Sequence, residues 1–137
     1  MQSTIARRAI STVVALAALG AGVLASGGTA AAETKDGELE LREFGLFYNS
    51  SLLGSVFDLY LGDSNLADDR FAGYGSGQGQ IVDNNAASYF NRDRVVWYVY
   101  TGAFAGGVEG SLPANYYGNA SATFKNQVSS AYHYKAR

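Results

Sequence analysis

A small set of residues in this chain is of the types that catalysis would require. The single histidine, His133, could act as a general base only beside a nucleophile and an orienting carboxylate. No serine or aspartate stands at a spacing from His133 that would indicate such a group. Asp63, Asp68 and Asp69 could supply the two carboxylates of glycoside hydrolysis, but that reaction needs the pair set across a cleft. Adjacent aspartates in a loop usually face solvent. These residues therefore favour a protein that is not an enzyme.

The segment 72–80 (AGYGSGQGQ) has glycine at four alternate positions. Such a run resembles a phosphate-binding loop, but a P-loop continues into Lys-Ser/Thr and lies between a buried strand and a helix. Here no such lysine follows, no helix pattern is adjacent, and the chain is acidic overall. We therefore interpret this segment as a long connection between strands.

The composition excludes several classes of function. The 137 residues include 10 Lys+Arg and 12 Asp+Glu, for a net charge of −2, whereas a nucleic-acid binder needs a basic face. Cysteine is absent, which excludes disulfides, thiolate metal sites and a cysteine nucleophile. The length is that of one domain, and 10 Tyr, 7 Phe and 17 Gly indicate an aromatic β protein with many glycine turns.

Residues 1–32 have the layout of a secretory signal peptide, with Arg7 and Arg8, an uncharged apolar run over 9–25, and a small-residue end at Ala32. A membrane anchor is the alternative, since the apolar run is at the lower limit of the roughly 17–25 residues that span a bilayer. We expect cleavage after Ala32 and a secreted, extracellular mature protein. Its net charge would fall from −2 to −4 with the loss of the two arginines. The following residues, 33–43, are predicted as a loose N-terminal tail.

Short runs of aromatic and aliphatic residues bounded by Asn, Ser and Gly predict β-strands. They cover 44–48, 55–60, 89–90 and 95–100, the last with six β-branched or aromatic residues in a row. No stretch has apolar residues at helical spacing over three turns. At most a short helix fits at 64–71.

The chain also contains an internal repeat. Residues 47–56 (FYNSSLLGSV) align with 99–108 (VYTGAFAGGV) at an offset of 52, and 83–88 (DNNAAS) align with 125–130 (KNQVSS) at an offset of 42. We interpret the first motif as a folded hairpin, in which glycine avoids an aromatic ring or adopts positive φ. The second motif is a polar loop whose serine closes onto that hairpin. The predicted structural residues are Phe47, Tyr48, Gly54, Ser88, Tyr100, Gly106 and Ser130.

This ordered pair of motifs, present twice, resembles the βγ-crystallin Greek-key unit. The residue sequences of several segments resemble even more closely the secreted bacterial peptidase inhibitor family of the metalloproteinase inhibitor type, which is built on that fold. The segments that carry this likeness are 46–50, 77–88 and 124–130. The resemblance covers about 41–134. It implies an all-β, βγ-crystallin-like Greek-key β-sandwich, a single domain over 44–134 with two four-stranded repeats at about 44–93 and 94–134.

The same resemblance implies a secreted monomer that inhibits proteases, with metalloproteases as the best-known targets, by inserting a rigid loop into the protease cleft. The candidate loops are 72–80 and 101–110. Tyr74, Tyr116 and Tyr117 are predicted to lie in loops, and loop tyrosines are good contacts because they bury area at low entropic cost. A structural or cell-envelope binding module of the same fold is the alternative. The expected partner is an extracellular protease or a cell-envelope component, with no nucleic acid and no membrane. The candidate binding residues are Tyr74, Gly75, Gly77, Gly102, Phe104, Tyr116 and Tyr117.

βγ-Crystallin loops of the same kind as 83–88 often bind Ca²⁺, a cation that takes about six to eight oxygen ligands. In this chain Ala87 stands where a hydroxyl is expected, and Lys125 places a positive charge where Asn or Asp is expected. We therefore expect calcium binding to be weak or absent, and no other cofactor. The candidate calcium ligands are Asp83, Asn84, Asn126 and Ser129.

Overall fold

A computed structural model describes residues 34–135, in which seven short strands form two antiparallel sheets. The strands are β1 Phe44–Phe47, β2 Val56–Leu59, β3 Ser88–Asn91, β4 Trp97–Tyr100, β5 Glu109–Leu112, β6 Tyr117–Asn119 and β7 Ser130–Tyr132. The same part of the chain contains two single-turn 3₁₀ helices, Ser50–Leu52 and Leu66–Asp68. The predicted signal peptide, 1–32, lies outside the described residues. Within 34–135, no helix has the length and apolar character needed to cross a membrane.

Strands form where aromatic and aliphatic residues are consecutive, so β1 to β4 occupy the predicted positions. The short helix predicted at 64–71 is the 3₁₀ turn Leu66–Asp68, and the Asn65 side chain caps it by accepting a hydrogen bond from the Ala67 N–H at 3.1 Å. β5, β6 and β7 were not predicted. They are short and rich in Gly, Ser and Asn, and they become strands through pairing with β4 or β3.

Each sheet contains chain segments from both repeats. The four-stranded sheet has the order β2-β1-β3-β6, and the three-stranded sheet has the order β5-β4-β7. β6 comes from the second repeat, while Asp63 of the first repeat forms an isolated antiparallel bridge with Ala131 of β7. The predicted all-β Greek-key sandwich is therefore confirmed. The bridge lies where a fourth strand would complete the second sheet. A full strand does not form there, because the chain turns into the Leu66–Asp68 helix three residues later.

The core lies between the two sheets, and two aromatic rings join its halves. Phe44 in β1 and Trp97 in β4 stack with their ring centroids 4.8 Å apart and their planes at 13°, and both are fully buried. The surrounding large side chains are also buried, and they are Leu46, Phe57, Leu59, Leu66, Phe71, Val82, Val99 and Val128. Each contributes about 1.5–3 kcal/mol relative to exposure, so this core can stabilise a domain that has no disulfide.

The repeat of strands and hairpins has an offset of 53 residues, one more than the sequence alignment indicated. β1 begins at residue 44 and β4 at residue 97. The Tyr48 N–H donates to the Ser55 carbonyl at 2.9 Å, and the equivalent bond runs from the Thr101 N–H to the Val108 carbonyl at 3.1 Å. Thr101 is therefore the structural counterpart of Tyr48.

This register corrects two predicted structural positions. Gly54 has a φ of +80°, and its counterpart with positive φ is Gly107, at +72°, rather than Gly106. Tyr100 is the last residue of β4, where Phe47 ends β1, and its buried hydroxyl donates to Glu109 Oε2 at 2.6 Å. The alignment was displaced because it matched tyrosine with tyrosine, whereas the second hairpin has threonine at that position.

Residues 34–43, which we name the N-terminal strap, do not form the loose tail that the sequence predicted. The N–H groups of Asp36 and Gly37 donate to the Asp58 carboxylate at 3.2 and 2.7 Å. The Lys35 N–H donates to the Asp58 carbonyl at 2.9 Å. Side chains alternate along a strand, and Phe57 and Leu59 of β2 point into the core. Asp58 between them therefore points to the outer face of the sheet, where it accepts these bonds and attaches the strap.

Two buried carboxylates lie where the strap joins the four-stranded sheet, one on β2 and one at the end of the strap itself. Asp58 and Glu43 are both fully buried. Glu43 Oε1 accepts from the Glu40 N–H at 2.8 Å, while Oε2 has no hydrogen-bond partner among the described residues. Burial raises the pKa of Glu43 to about 9 and the pKa of Asp58 to about 7. The folded protein therefore keeps protons that the unfolded chain releases near pH 4 to 5, at the approximate pKa of a free carboxyl.

We expect the free energy of unfolding to fall as the pH rises from about 4.5 to about 9, because over this interval the folded state binds more protons than the unfolded state. Glu43→Gln should flatten the decline, since the amide stays neutral, and should leave the variant more stable than the wild type near pH 9. Denaturant unfolding at several pH values measures both curves. Glu38→Gln changes an exposed carboxylate of the same strap and should keep the decline. A Glu43→Gln curve as steep as that of the wild type would contradict the prediction.

Candidate functional site

Loop 72–80 leaves and rejoins the sandwich at a closed base. The Phe71 N–H donates to the Gln80 carbonyl at 2.9 Å, and the Gly79 N–H donates to the Phe71 carbonyl at 2.8 Å. Two further backbone bonds form turns inside the loop. The loop is rich in glycine, but these bonds engage several of its backbone groups and restrict its conformation.

Tyr74 projects from this loop and is 92% exposed. Gly75 has a φ of +113° and Gly77 a φ of +91°, a backbone region that glycine adopts without strain. The glycines therefore allow the chain to turn sharply after Tyr74 and leave its ring in solvent. Of the three binding candidates in this loop, Tyr74 faces outward, whereas Gly77 faces the core.

Gly77 gives room for the ring of Tyr48. A Cβ atom at Gly77 would lie 2.1 Å from Cγ of that ring, and the ring packs edge-on against Phe71 at 5.5 Å between centroids. A Cβ at Gly54 would instead meet Asn49 Nδ2 at 2.9 Å and the Ser76 carbonyl at 3.0 Å. Tyr48 thus attaches loop 72–80 to the core through Gly77.

We expect Gly77→Ala to lower the free energy of unfolding by about 2–4 kcal/mol, because the methyl group collides with the Tyr48 ring and the backbone has positive φ. Gly79→Ala is the matched control. Its φ is +87°, but among the described residues no heavy atom lies within 4 Å of the added Cβ, so its cost should be only about 1 kcal/mol. Urea denaturation measures both values. Equal losses in the two variants would contradict the packing of Tyr48 on Gly77.

Loop 101–110 carries a second exposed aromatic ring, that of Phe104, which is 70% exposed. Phe104 has a φ of +54°, a strained conformation for a bulky residue. Its N–H donates to the Ser64 carbonyl at 2.7 Å, which helps to hold the backbone in place. The binding candidate Gly102 lies inside the hairpin, where a Cβ atom would be 2.9 Å from the backbone of Gly106.

Two serines of the polar loops, Ser88 and Ser130, close the two hairpins in the same way. Ser88 Oγ donates to the Asn49 carbonyl at 2.6 Å and accepts from the N–H three residues further along the hairpin at 3.0 Å. Ser130 Oγ donates to the Gly102 carbonyl at 2.7 Å and accepts from the N–H three residues further along at 3.2 Å. Both serines are fully buried. Each hydroxyl thus ties its hairpin at two points.

The tyrosine pair Tyr116 and Tyr117 lies away from loop 72–80. Tyr117 begins β6, so the interpretation of this pair as part of a loop is corrected for Tyr117. β6 is one edge of the four-stranded sheet, while the Gly73 N–H donates to the Val56 carbonyl of β2 at 3.2 Å at the other edge. Tyr74 and Tyr117 are therefore on opposite edges of one sheet and do not form a single binding surface.

The candidate calcium residues lie in two loops that are hydrogen-bonded to each other. The Asn84 N–H donates to the Val128 carbonyl at 3.1 Å, and the Asn126 N–H donates to the Ala86 carbonyl at 2.8 Å. Ser129 Oγ donates to Asn84 Oδ1 at 3.3 Å, and Asn84 Nδ2 lies 3.4 Å from an Asp83 carboxylate oxygen. The side chains of Asp83, Asn84 and Ser129 are therefore engaged with one another.

A cavity of about 230 Å³ lies beside these loops. Its described lining residues are Tyr48, Asn49, Ser50, Asn85, Ala87, Lys125 and Asn126. A calcium site needs several oxygen ligands and usually carboxylates, but this lining includes no carboxylate and includes a lysine. The residues at the cavity therefore do not fit a divalent cation.

Three aspartates form an acidic cluster, and its positively charged partner is the ammonium group of a lysine. The sequence did not indicate this cluster as a site. Carboxylate oxygens of Asp63, Asp68 and Asp69 lie within 4.8 Å of one another, and Lys35 Nζ is 2.8 Å from Asp63 and 3.0 Å from Asp69. Burial, followed by the hydrogen bond with Asp63, raises the pKa of Asp69 to about 7. Lys35 thus attaches the N-terminal strap to the sandwich. Sequence separations of 28 and 34 residues concealed this contact.

His133 follows β7 and packs among aromatic rings. Its ring centroid is 5.7 Å from that of Trp97 and 5.1 Å from that of Tyr134. Its Nδ1 has no hydrogen-bond partner among the described residues, so no orienting carboxylate is placed on that nitrogen.

Comparison with known proteins identifies the architecture. No protein-family model matches the chain, and no curated protein matches it. A βγ-crystallin from Ciona intestinalis has 14% identity and a TM-score of 0.53, over 67% of this chain and 99% of that one. A structure described under "Evolution of the eye lens beta-gamma-crystallin domain fold" has 10% identity and a TM-score of 0.55, over 77% and 96%. The N-terminal domain of Protein S has 22% identity and a TM-score of 0.50, over 66% and 92%.

The chain has the βγ-crystallin fold. The identities are all below 25%, so the likeness concerns the backbone architecture and not a shared activity. The function has to be argued from the loops and surfaces of this chain.

Proposed function

We propose that this protein is a secreted, non-enzymatic inhibitor of extracellular proteases that presents Tyr74 to the protease cleft. One observation carries the proposal: Tyr74 is 92% exposed at the outer end of loop 72–80, while backbone hydrogen bonds close the base of that loop. An exposed aromatic side chain on a restricted loop is the form that a protease subsite can accept.

Restriction of the loop matters because binding has to offset the entropy of ordering it. A loop that is ordered before binding loses less conformational freedom, and its affinity rises accordingly. Disulfides often supply such restriction, but this chain has no cysteine. Here the backbone bonds at Phe71 and the packing of Tyr48 against Gly77 serve the same purpose.

The remaining features of the proposal come from the sequence. The signal peptide pattern at 1–32 supports export, and the likeness of 41–134 to secreted peptidase inhibitors supports a protease as the partner. The protein would act as a monomer, without a cofactor and without calcium. Metalloproteases are the first class to assay because that likeness is to inhibitors of the metalloproteinase type.

We expect Tyr74→Ala to weaken inhibition about 30-fold, because a buried aromatic anchor at an interface contributes about 2 kcal/mol or more. Inhibition constants against a panel of secreted metallo- and serine proteases measure this change. Tyr117→Ala removes a tyrosine at the opposite edge of the sheet and should leave inhibition unchanged. If Phe104→Ala abolishes inhibition and Tyr74→Ala does not, loop 101–110 is the inhibitory loop. Failure of the wild type to inhibit any protease at tens of micromolar contradicts the proposal.

A cell-envelope binding module is the second candidate function, and an aromatic pair on the sheet favours it. Phe90 and Tyr117 are neighbours across β3 and β6, with centroids 5.2 Å apart, and Tyr117 is 63% exposed. The Arg92 guanidinium lies 5.8 Å from the centroid of the Phe90 ring. Flat rings beside a cation could stack against the sugar rings of an envelope glycan.

Sedimentation with purified cell-wall material tests this second function. If it is correct, Tyr117→Ala should reduce the bound fraction about tenfold, since a good aromatic contact contributes roughly 1.5 kcal/mol. Tyr74→Ala should leave the bound fraction unchanged. Equal binding by wild type and Tyr117→Ala would exclude the aromatic pair as the binding surface.

A further inference from the structure

A single buried residue, Ser55, is bonded to the chain on both sides of Tyr74. Its N–H donates to the Ser76 carbonyl at 2.8 Å, and its Oγ donates to the Gly73 carbonyl through a short hydrogen bond. Ser55 is fully buried, directly after Gly54 of the first folded hairpin. The hairpin therefore holds the residue before Tyr74 and the second residue after it.

Neighbouring contacts make this attachment close. The Gly73 N–H donates to the Val56 carbonyl at 3.2 Å, so both polar backbone groups of Gly73 are engaged. A Cβ at Gly73 would lie 2.9 Å from the Val56 nitrogen, and one at Gly75 would lie 3.5 Å from the carbonyl carbon of Gly54. The segment 73–76 thus lies against the hairpin backbone, with the Tyr74 side chain on its open side.

The two bonds of Ser55 also distinguish the peptide bonds around Tyr74. The hydroxyl of Ser55 donates a hydrogen bond to the carbonyl of the Gly73–Tyr74 peptide bond. A protease would have to polarise that carbonyl itself in order to cut this peptide bond. The carbonyl of the Tyr74–Gly75 bond does not receive this hydrogen bond. The peptide bond that the loop offers is therefore the one after Tyr74.

We propose that Ser55 is the positioning residue of the inhibitory loop, and that the target is an endoprotease whose pocket takes an aromatic side chain immediately before the cut. This inference rests on the proposed function. Hydrolysis of the Tyr74–Gly75 bond would add one water and leave a carboxylate on Tyr74 and an amine on Gly75. Because Ser55 still holds Gly73 and Ser76, both new ends stay in the cleft, and the reverse step, which releases water and re-forms the bond, competes with dissociation.

Ser55→Ala keeps Tyr74 but removes the hydroxyl bond to the Gly73 carbonyl. We expect cleavage after Tyr74 to accelerate about three- to tenfold, which is the factor that the loss of one buried hydrogen bond corresponds to. Mass spectrometry of timed digests with the inhibited protease locates and times the cut. Ser88→Ala is the matched control, because it deletes a buried hydroxyl that closes the same hairpin without bonding to 73–76. It should leave the rate of the cut unchanged.

A measurement without protease separates the two proposals. Native-state hydrogen exchange should show faster exchange of the Gly73 and Gln78 amides in Ser55→Ala and unchanged exchange of the Val82 amide. Ser55→Cys, which keeps the branching of the side chain and weakens the donor, replaces the alanine variant if the latter does not fold.

Four results would overturn the inference: unchanged loop exchange in Ser55→Ala, a cut after Tyr74 in Ser55→Ala that is no faster than in the wild type, equal acceleration in Ser88→Ala, or a cut before Tyr74 in the wild type. If the wild type inhibits and Tyr74→Ala does not, while Ser55→Ala behaves like the wild type, only the role of Ser55 fails. If the wild type neither inhibits nor is cut after Tyr74 by any protease, the proposed function fails together with the inference.

Discussion

The stack of Phe44 on Trp97 joins the two sheets of the sandwich at the centre of the core. Phe44 is the first residue of β1, which pairs with β2 on one side and β3 on the other. Trp97 is the first residue of β4, which pairs with β5 and β7 in the same way. The stack therefore positions both sheets, and with them the hairpins that follow β1 and β4. Tyr48 lies directly after β1, and its ring attaches loop 72–80 to the core through Gly77. The exposure of Tyr74 is in this sense a consequence of core packing.

Hydrogen bonds to buried serines take the place that disulfides hold in many small extracellular domains. A hydroxyl both donates and accepts, so Ser88 and Ser130 each join two points of a hairpin. Ser55 uses its hydroxyl and its backbone N–H to hold two points of loop 72–80. One such bond contributes only about 0.5–1.5 kcal/mol. Several of them on one short loop restrict it without any covalent link.

The N-terminal strap shows why a polar sequence does not by itself indicate a mobile segment. Residues 34–43 have few large apolar side chains, so their pattern predicts a solvated tail. Their backbone N–H groups nevertheless find acceptors on Asp58, and Lys35 finds Asp63 and Asp69. These partners belong to later parts of the chain. A local pattern cannot predict them, because hydrogen-bond partners are set by proximity in space and not by residue type.

The order of residues along the chain is enough to specify the all-β class, the first four strands, the doubled motif and the location of Tyr74 in a glycine-rich connection. These are properties of local spacing, which the chain carries whether or not it is folded. Three features are visible only in the folded chain: the hairpins repeat at 53 residues, Gly77 makes room for Tyr48, and Tyr74 and Tyr117 lie on opposite edges of one sheet. Those features depend on which distant segments pack together, and that is settled by burial of the whole core rather than by any short stretch of residues.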